Sequence, residues 1–179
     1  DNETPVVLMG YANPVVVTGY ERFAQLASDA GVDGLLTVDM PPEEAGELSA
    51  ALTAKAIDII YLIAPTTTPE RMKNICANAT GYVYYVSLKG VTGASNIDID
   101  SVREKVSEIR QYTDLPVSVG FGIKDNESAK AVSQVADGVV VGSALVNNMA
   151  ELGKNGITDI DQYAKQAVQL IANMRNAID

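Results

Sequence analysis

The stretch Asp137-Gly-Val-Val-Val-Gly-Ser-Ala-Leu145 decides how this chain is read. Three consecutive valines suit a strand buried on both faces, as in a parallel sheet covered by helices. The strand ends in Gly142-Ser143, and Ala144 to Asn148 can start a helical turn. A strand, a Gly-Ser pair and a helix start aim backbone N–H groups and a hydroxyl at one point, which suits a phosphate. Upstream, Pro116-Val-Ser-Val-Gly-Phe-Gly-Ile123 repeats the design: a short apolar strand, then glycines where the backbone must come close to something. The plainer reading, glycines that only cap strands, stays open for either turn taken alone.

Working outward, Pro5–Gly10 reads as a buried strand followed by a loop, Tyr11-Ala-Asn-Pro14, and Tyr20–Ala30 as a helix presenting Phe23, Leu26 and Ala27, stopped at Gly31. Asp33–Val38 is the next strand, and a helix from Glu43 to Ala56 follows Pro41-Pro42. Strands at Ile57–Ala64 and Tyr82–Ser87 flank a helix at Pro69–Asn78, and helices at Ile99–Tyr112 and Asn126–Ala136 precede the two glycine-ended strands. A last long helix, Asp159–Ala177, offers Ile160, Tyr163, Val168, Ile171 and Met174 for burial. No two strands are close enough for a hairpin, so six strand-plus-helix units imply a parallel α/β sheet with right-handed crossovers.

Paired glycine turns after the last two strands match the phosphate grip of the (β/α)8 or TIM barrel, whose typical length is about 250 residues. Six units in 179 residues fall two short of eight. The chain is therefore expected to be a single domain, 1–179, an incomplete barrel lacking its first two units. Its strand at Pro5–Gly10 should then present an open or swapped edge, or hold a separate peptide.

A hydrophobic content of 47% fits a packed globular protein. The net charge of −10, from 13 basic and 23 acidic residues, argues against nucleic acid or an anionic membrane as partner. No apolar run approaches the ~20 residues of a membrane span, and no signal peptide opens the chain. The single cysteine, Cys76, suits a reducing cytoplasm and core packing rather than reactivity. Histidine is absent, which removes Ser-His-Asp and Cys-His catalysis and the usual zinc ligands; no metal site is expected. Asn78-Ala-Thr80 has the form of a glycosylation acceptor but no secretion signal accompanies it. Glu43-Glu44 suits a helix-dipole role better than catalysis, because neighbours on a helix point apart.

Seven motifs occur in order: Met9-Gly-Tyr-Ala-Asn-Pro14, Val38-Asp-Met-Pro-Pro42, Leu62-Ile-Ala-Pro-Thr66, Gly81-Tyr-Val-Tyr84, Gly90-Val-Thr-Gly93, Gly120-Phe-Gly-Ile123 and Gly142-Ser143. As an ordered set they resemble the tryptophan synthase alpha subunit family, from its third barrel strand to its C-terminus. The Tyr-Ala-Asn-Pro loop with Gly-Val-Thr-Gly is the most discriminating pair. The resemblance implies a lyase that cleaves indole-3-glycerol phosphate to indole and glyceraldehyde 3-phosphate in tryptophan biosynthesis. It also implies a beta-subunit partner that carries pyridoxal phosphate, in an alpha-beta-beta-alpha complex; the alpha subunit needs no cofactor of its own. The family's catalytic glutamate and aspartate, on the second strand and the loop after it, have no counterpart here, so the isolated chain is expected to be inactive.

By motif match, Gly93, Gly122, Gly142 and Ser143 would hold the phosphate. Met9, Leu36, Ile63, Phe121 and Val140 would wall the indole pocket, with Tyr84 and Thr92 as auxiliary groups and Tyr84 alternatively a core aromatic. Asn13, Pro14, Asp39 and Pro41 would meet the beta subunit, Asp39 being alternatively a solvated strand-end charge. Two other readings stand beside this one: a non-catalytic module that activates the beta subunit, and another sugar-phosphate barrel enzyme.

Overall fold

The computed structural model describes residues 3–87, 98–120, 122–154 and 159–179. Its elements are β1 (Val7–Gly10), α1 (Ala12–Thr18), α2 (Tyr20–Asp29), β2 (Gly34–Thr37), α3 (Gly46–Thr53), β3 (Asp58–Ile63) and α4 (Pro69–Asn78). There follow β4 (Val83–Val86), α5 (Ile99–Ile109), β5 (Val117–Gly120), α6 (Asn126–Ser133), β6 (Gly138–Val140), α7 (Ser143–Lys154) and α8 (Ile160–Ile178). The hydrogen-bonded strand order is β1-β2-β3-β4-β5-β6, the order of the sequence. The residues group into two compact units: Asp1–Tyr84 with Glu108–Val117, and Tyr85–Ser107 with Ser118–Asp179.

In the first unit β2 sits between two parallel neighbours. Its register runs Val7↔Gly34 to Gly10↔Thr37 on one side and Gly34↔Asp58 to Leu36↔Ile60 on the other. Registered partners share a face and successive residues alternate, so Val7, Met9, Gly34, Leu36 and Ile60 lie on one side. Leu8, Leu35, Thr37, Ile59, Tyr61 and Ile63 take the other. A Cβ on Gly34 would meet Val7 and Ile60 side chains, as that grouping demands. Leu48 and Leu52 of α3 and Met72, Ile75 and Cys76 of α4 are buried in this unit's core.

β1 is not the buried strand its apolar sequence suggests: Val6, Val7, Leu8 and Met9 are all exposed, Met9 to 59%. The cause is topological. β1 pairs with β2 alone, and its far edge is open, as the six-unit count anticipates.

In the second unit β5 and β6 pair in parallel from Ser118↔Gly138 to Gly120↔Val140. A Cβ on Gly138 would crowd the Ser118 side chain, which would have to shift. The Val139-Val140-Val141 run is only half-buried, a correction to the expectation of burial on both faces. β6 ends the strand order, so one of its edges has no neighbour. Val102 and Val106 of α5, Ala129 and Val132 of α6, and Ala167 and Met174 of α8 are buried residues of this unit's helices.

Several expectations need correction. The Tyr-Ala-Asn-Pro segment opens helix α1 rather than forming a loop; Pro14 falls in its first turn, where a missing N–H costs nothing. The helix expected from Glu43 starts at Gly46, because Pro41 and Pro42 carbonyls accept the Glu44 and Ala45 N–H groups in a preceding turn. The turn after Ser143 continues to Lys154. Ile160 and Val168 of α8, and Leu26 of α2, point to solvent instead of the core.

Candidate functional site

The second unit holds the two glycine turns. Registering Gly120 with Val140 sets the carboxyl ends of β5 and β6 next to each other, so the turns that follow are neighbours. The first turn passes through Gly122 at φ 78°, a left-handed backbone that L side chains resist. The second passes through Gly142 into α7. Leu145 and Val146 both donate to the Gly142 carbonyl, at 3.0 and 3.2 Å, so the helical hydrogen-bond pattern opens at this point. The first N–H groups of α7, at Ser143 and Ala144, therefore have no acceptor within the helix. The positive end of the helix dipole lies behind them, an arrangement that favours an anion, and Gly142 and Ser143 are both exposed. On the shared β5–β6 face, Val140 lies with Ser118, Gly120 and Gly138, beside the same strand ends.

The first unit holds several of the expected apolar positions. Met9 and Leu36 are register partners on one face, Met9 exposed and Leu36 buried. Tyr84 is buried and takes the face of β4 opposite Val83 and Tyr85. Burial, and then the neighbouring Tyr82, push its phenol pKa up, so it remains a neutral hydrogen-bonding group at physiological pH. Ile63 is fully buried, and pleat alternation groups it with Ile59 and Tyr61 rather than with Leu36 and Ile60. Thr92, Gly93 and Phe121 lie outside the described residues.

At the loop side of this unit, Asn13 and Pro14 are exposed in the first turn of α1 and Pro41 is half-buried. Asp39 is more than a solvated charge: its Oδ1 accepts the Ala12 N–H at 2.7 Å, capping α1 from the neighbouring strand end. Tyr11, at the N-cap position, provides no side-chain bond of its own. Nothing local in the sequence reveals this pairing, since donor and acceptor lie far apart in the chain and meet only through the β1–β2 register. Glu43 likewise has a structural task, accepting a hydrogen bond from the Asn74 amide at 2.6 Å. Among the described residues no cluster of acidic or sulfur side chains could hold a metal, and no helix is long and apolar enough to cross a membrane.

Residues 1–178 match the family model described as tryptophan synthase alpha chain. The chain belongs to that family. It is 56% identical to the tryptophan synthase alpha chain of Thioalkalivibrio sulfidiphilus, covering 100% of this chain and 66% of that protein. The Marinobacter nauticus alpha chain is 52% identical, with 65% of its length covered. Among solved structures, the alpha subunit of Legionella pneumophila strain Paris superimposes with a TM-score of 0.86 at 41% identity, over all of this chain and 64% of that one. An aminoacrylate-bound tryptophan synthase from M. tuberculosis gives a TM-score of 0.83 at 31% identity, over 99% of this chain and 63% of that one. The chain thus spans about two-thirds of the length of its relatives, just under that fraction in each of these cases. Its fold is the family's TIM barrel in part, six β/α units of it.

Proposed function

We propose that this chain is the binding half of the alpha-chain lyase, which cleaves indole-3-glycerol phosphate to indole and glyceraldehyde 3-phosphate. The observation that carries this reading is the pair of adjacent turns after β5 and β6, with α7 opening at Ser143. Backbone N–H groups at Gly122, Gly142 and Ser143, the Ser143 hydroxyl and Gly93 would take the phosphate oxygens. Met9, Leu36, Ile63, Phe121 and Val140 would wall the indole, and Tyr84 and Thr92 would assist.

The cleavage is a retro-aldol reaction. A base removes the proton of the glycerol hydroxyl next to the indole-bearing carbon, the carbon–carbon bond breaks as the aldehyde forms, and an acid protonates indole C3. Two carboxylates can perform both transfers without histidine or metal. On this reading both belong to the β/α units that the six present here do not include, and both units described above form one domain with them. The product indole passes to a beta subunit bearing pyridoxal phosphate, met through Asn13, Pro14, Asp39 and Pro41, in the cytoplasm.

Indole release measured with the chain alone should be undetectable. Adding the remaining third of the Thioalkalivibrio sulfidiphilus relative as a separate polypeptide should restore it. Turnover by the chain alone at the rate of an intact relative would place the essential acids within these 179 residues and defeat the reading.

A further inference from the structure

A cavity of about 420 Å³ lies in the first unit. It is bounded by the loop after β2, by Tyr61 and Leu62 of β3, and by Arg71 and Ile75 of α4. The register Leu35↔Ile59 carries one step of the pleat further to Thr37 beside Tyr61, so both side chains leave the same face of the sheet into this space. Thr37 and Tyr61 are 7% and 4% exposed. Neither hydroxyl has a hydrogen-bond partner among the described residues, yet neither is sealed from solvent. Most of each residue is buried, and the hydroxyl is the part left to face the cavity.

Besides Asp39, two charges share the cavity, Arg71 and Glu44. Neither forms an ion pair among the described residues, with each other or with anything else. The other carboxylates nearby are already engaged, Asp39 at the Ala12 N–H and Glu43 at Asn74. A simple anion would suit Arg71 but would face Glu44, and a simple cation would meet the reverse. A molecule carrying both charges satisfies both. Met40, Pro41, Pro42 and Ile75 supply apolar wall beside them, and the volume is within the range of small-molecule pockets.

We propose that this cavity binds a free amino acid with an apolar side chain: its carboxylate on Arg71, its ammonium on Glu44, and the Thr37 and Tyr61 hydroxyls completing the polar contacts. The site is separate from the phosphate seat and needs no turnover, so its success or failure is read independently of the lyase assignment.

The test is a titration of the chain, labelled for NMR, with L-phenylalanine, and in parallel with hydrocinnamate, which lacks the ammonium, and phenethylamine, which lacks the carboxylate. L-Phenylalanine should shift the Thr37, Tyr61 and Arg71 signals saturably, and each one-charge analogue should bind about tenfold or more weakly. Arg71→Met and Glu44→Gln, both at exposed positions, should each weaken binding by a similar factor while leaving the fold's spectrum intact. Equal binding of the analogues, or no saturable shift at these three residues in the wild-type chain, would overturn the proposal.

Discussion

Ser143 concentrates the argument at the scale of a single residue. It stands exposed at the first position of α7, its N–H directed out of the helix and its hydroxyl free to donate to a phosphate oxygen. A hydrogen bond from a neutral donor to a charged acceptor contributes about 1.5 kcal/mol. Ser143→Ala should therefore weaken binding of glycerol phosphate about tenfold, measured by calorimetry, with the unfolding midpoint unchanged because the position is exposed. Its place was legible in the sequence, since a Gly-Ser pair between a strand and a helix requires no knowledge of distant residues. Asp39 was not: its bond to the Ala12 N–H exists only after two strands have paired. The Thr37 and Tyr61 hydroxyls were hidden for the same reason, sharing a face only through the β2–β3 register.

Elements were read more accurately where their end signals are local. Pro69–Asn78 emerges with the boundaries its Thr68-Pro69 start suggests, the Thr68 side chain accepting the Arg71 N–H. α6 begins at Asn126, behind a capping box in which Asp125 and Ser128 bond reciprocally. Failures cluster where tertiary contacts decide. α1 forms although its opening residues look like a loop, and α8 leaves Ile160 and Val168 in water because only one side of the helix has neighbours to pack against.

The Asp125 cap gives an element-scale test. The Ser128 hydroxyl, and then its N–H, hold the Asp125 pKa below its ordinary 3.8. A depressed carboxylate stabilises the fold above its unfolded value and loses that contribution as pH falls through the folded one. Asp125→Ala should cost about 1 kcal/mol at neutral pH in urea unfolding. The gap between variant and parent should narrow as pH drops below 3.8, where the parent's cap is progressively protonated.

Across the whole molecule, the strand-plus-helix count, the parallel order and the family were all readable from one sequence. What it could not supply was burial, because β1 and β6 end the strand order and keep the apolar composition of interior strands. An open, apolar strand edge invites pairing with another chain. Met9→Lys should therefore reduce concentration-dependent association, followed by light scattering, while leaving the thermal midpoint within about 0.5 kcal/mol equivalent, as for other exposed substitutions.

The central claim is that the two turns after β5 and β6 form one phosphate seat that survives in this chain without the catalytic acids. Backbone amide shifts recorded during titration with glycerol phosphate test it most directly. The account predicts that Gly122, Gly142 and Ser143 move together along a single saturation curve, with no such response in Ser28 or Ser133 on the helices. Separate curves for the two turns, or no movement at either, would contradict it.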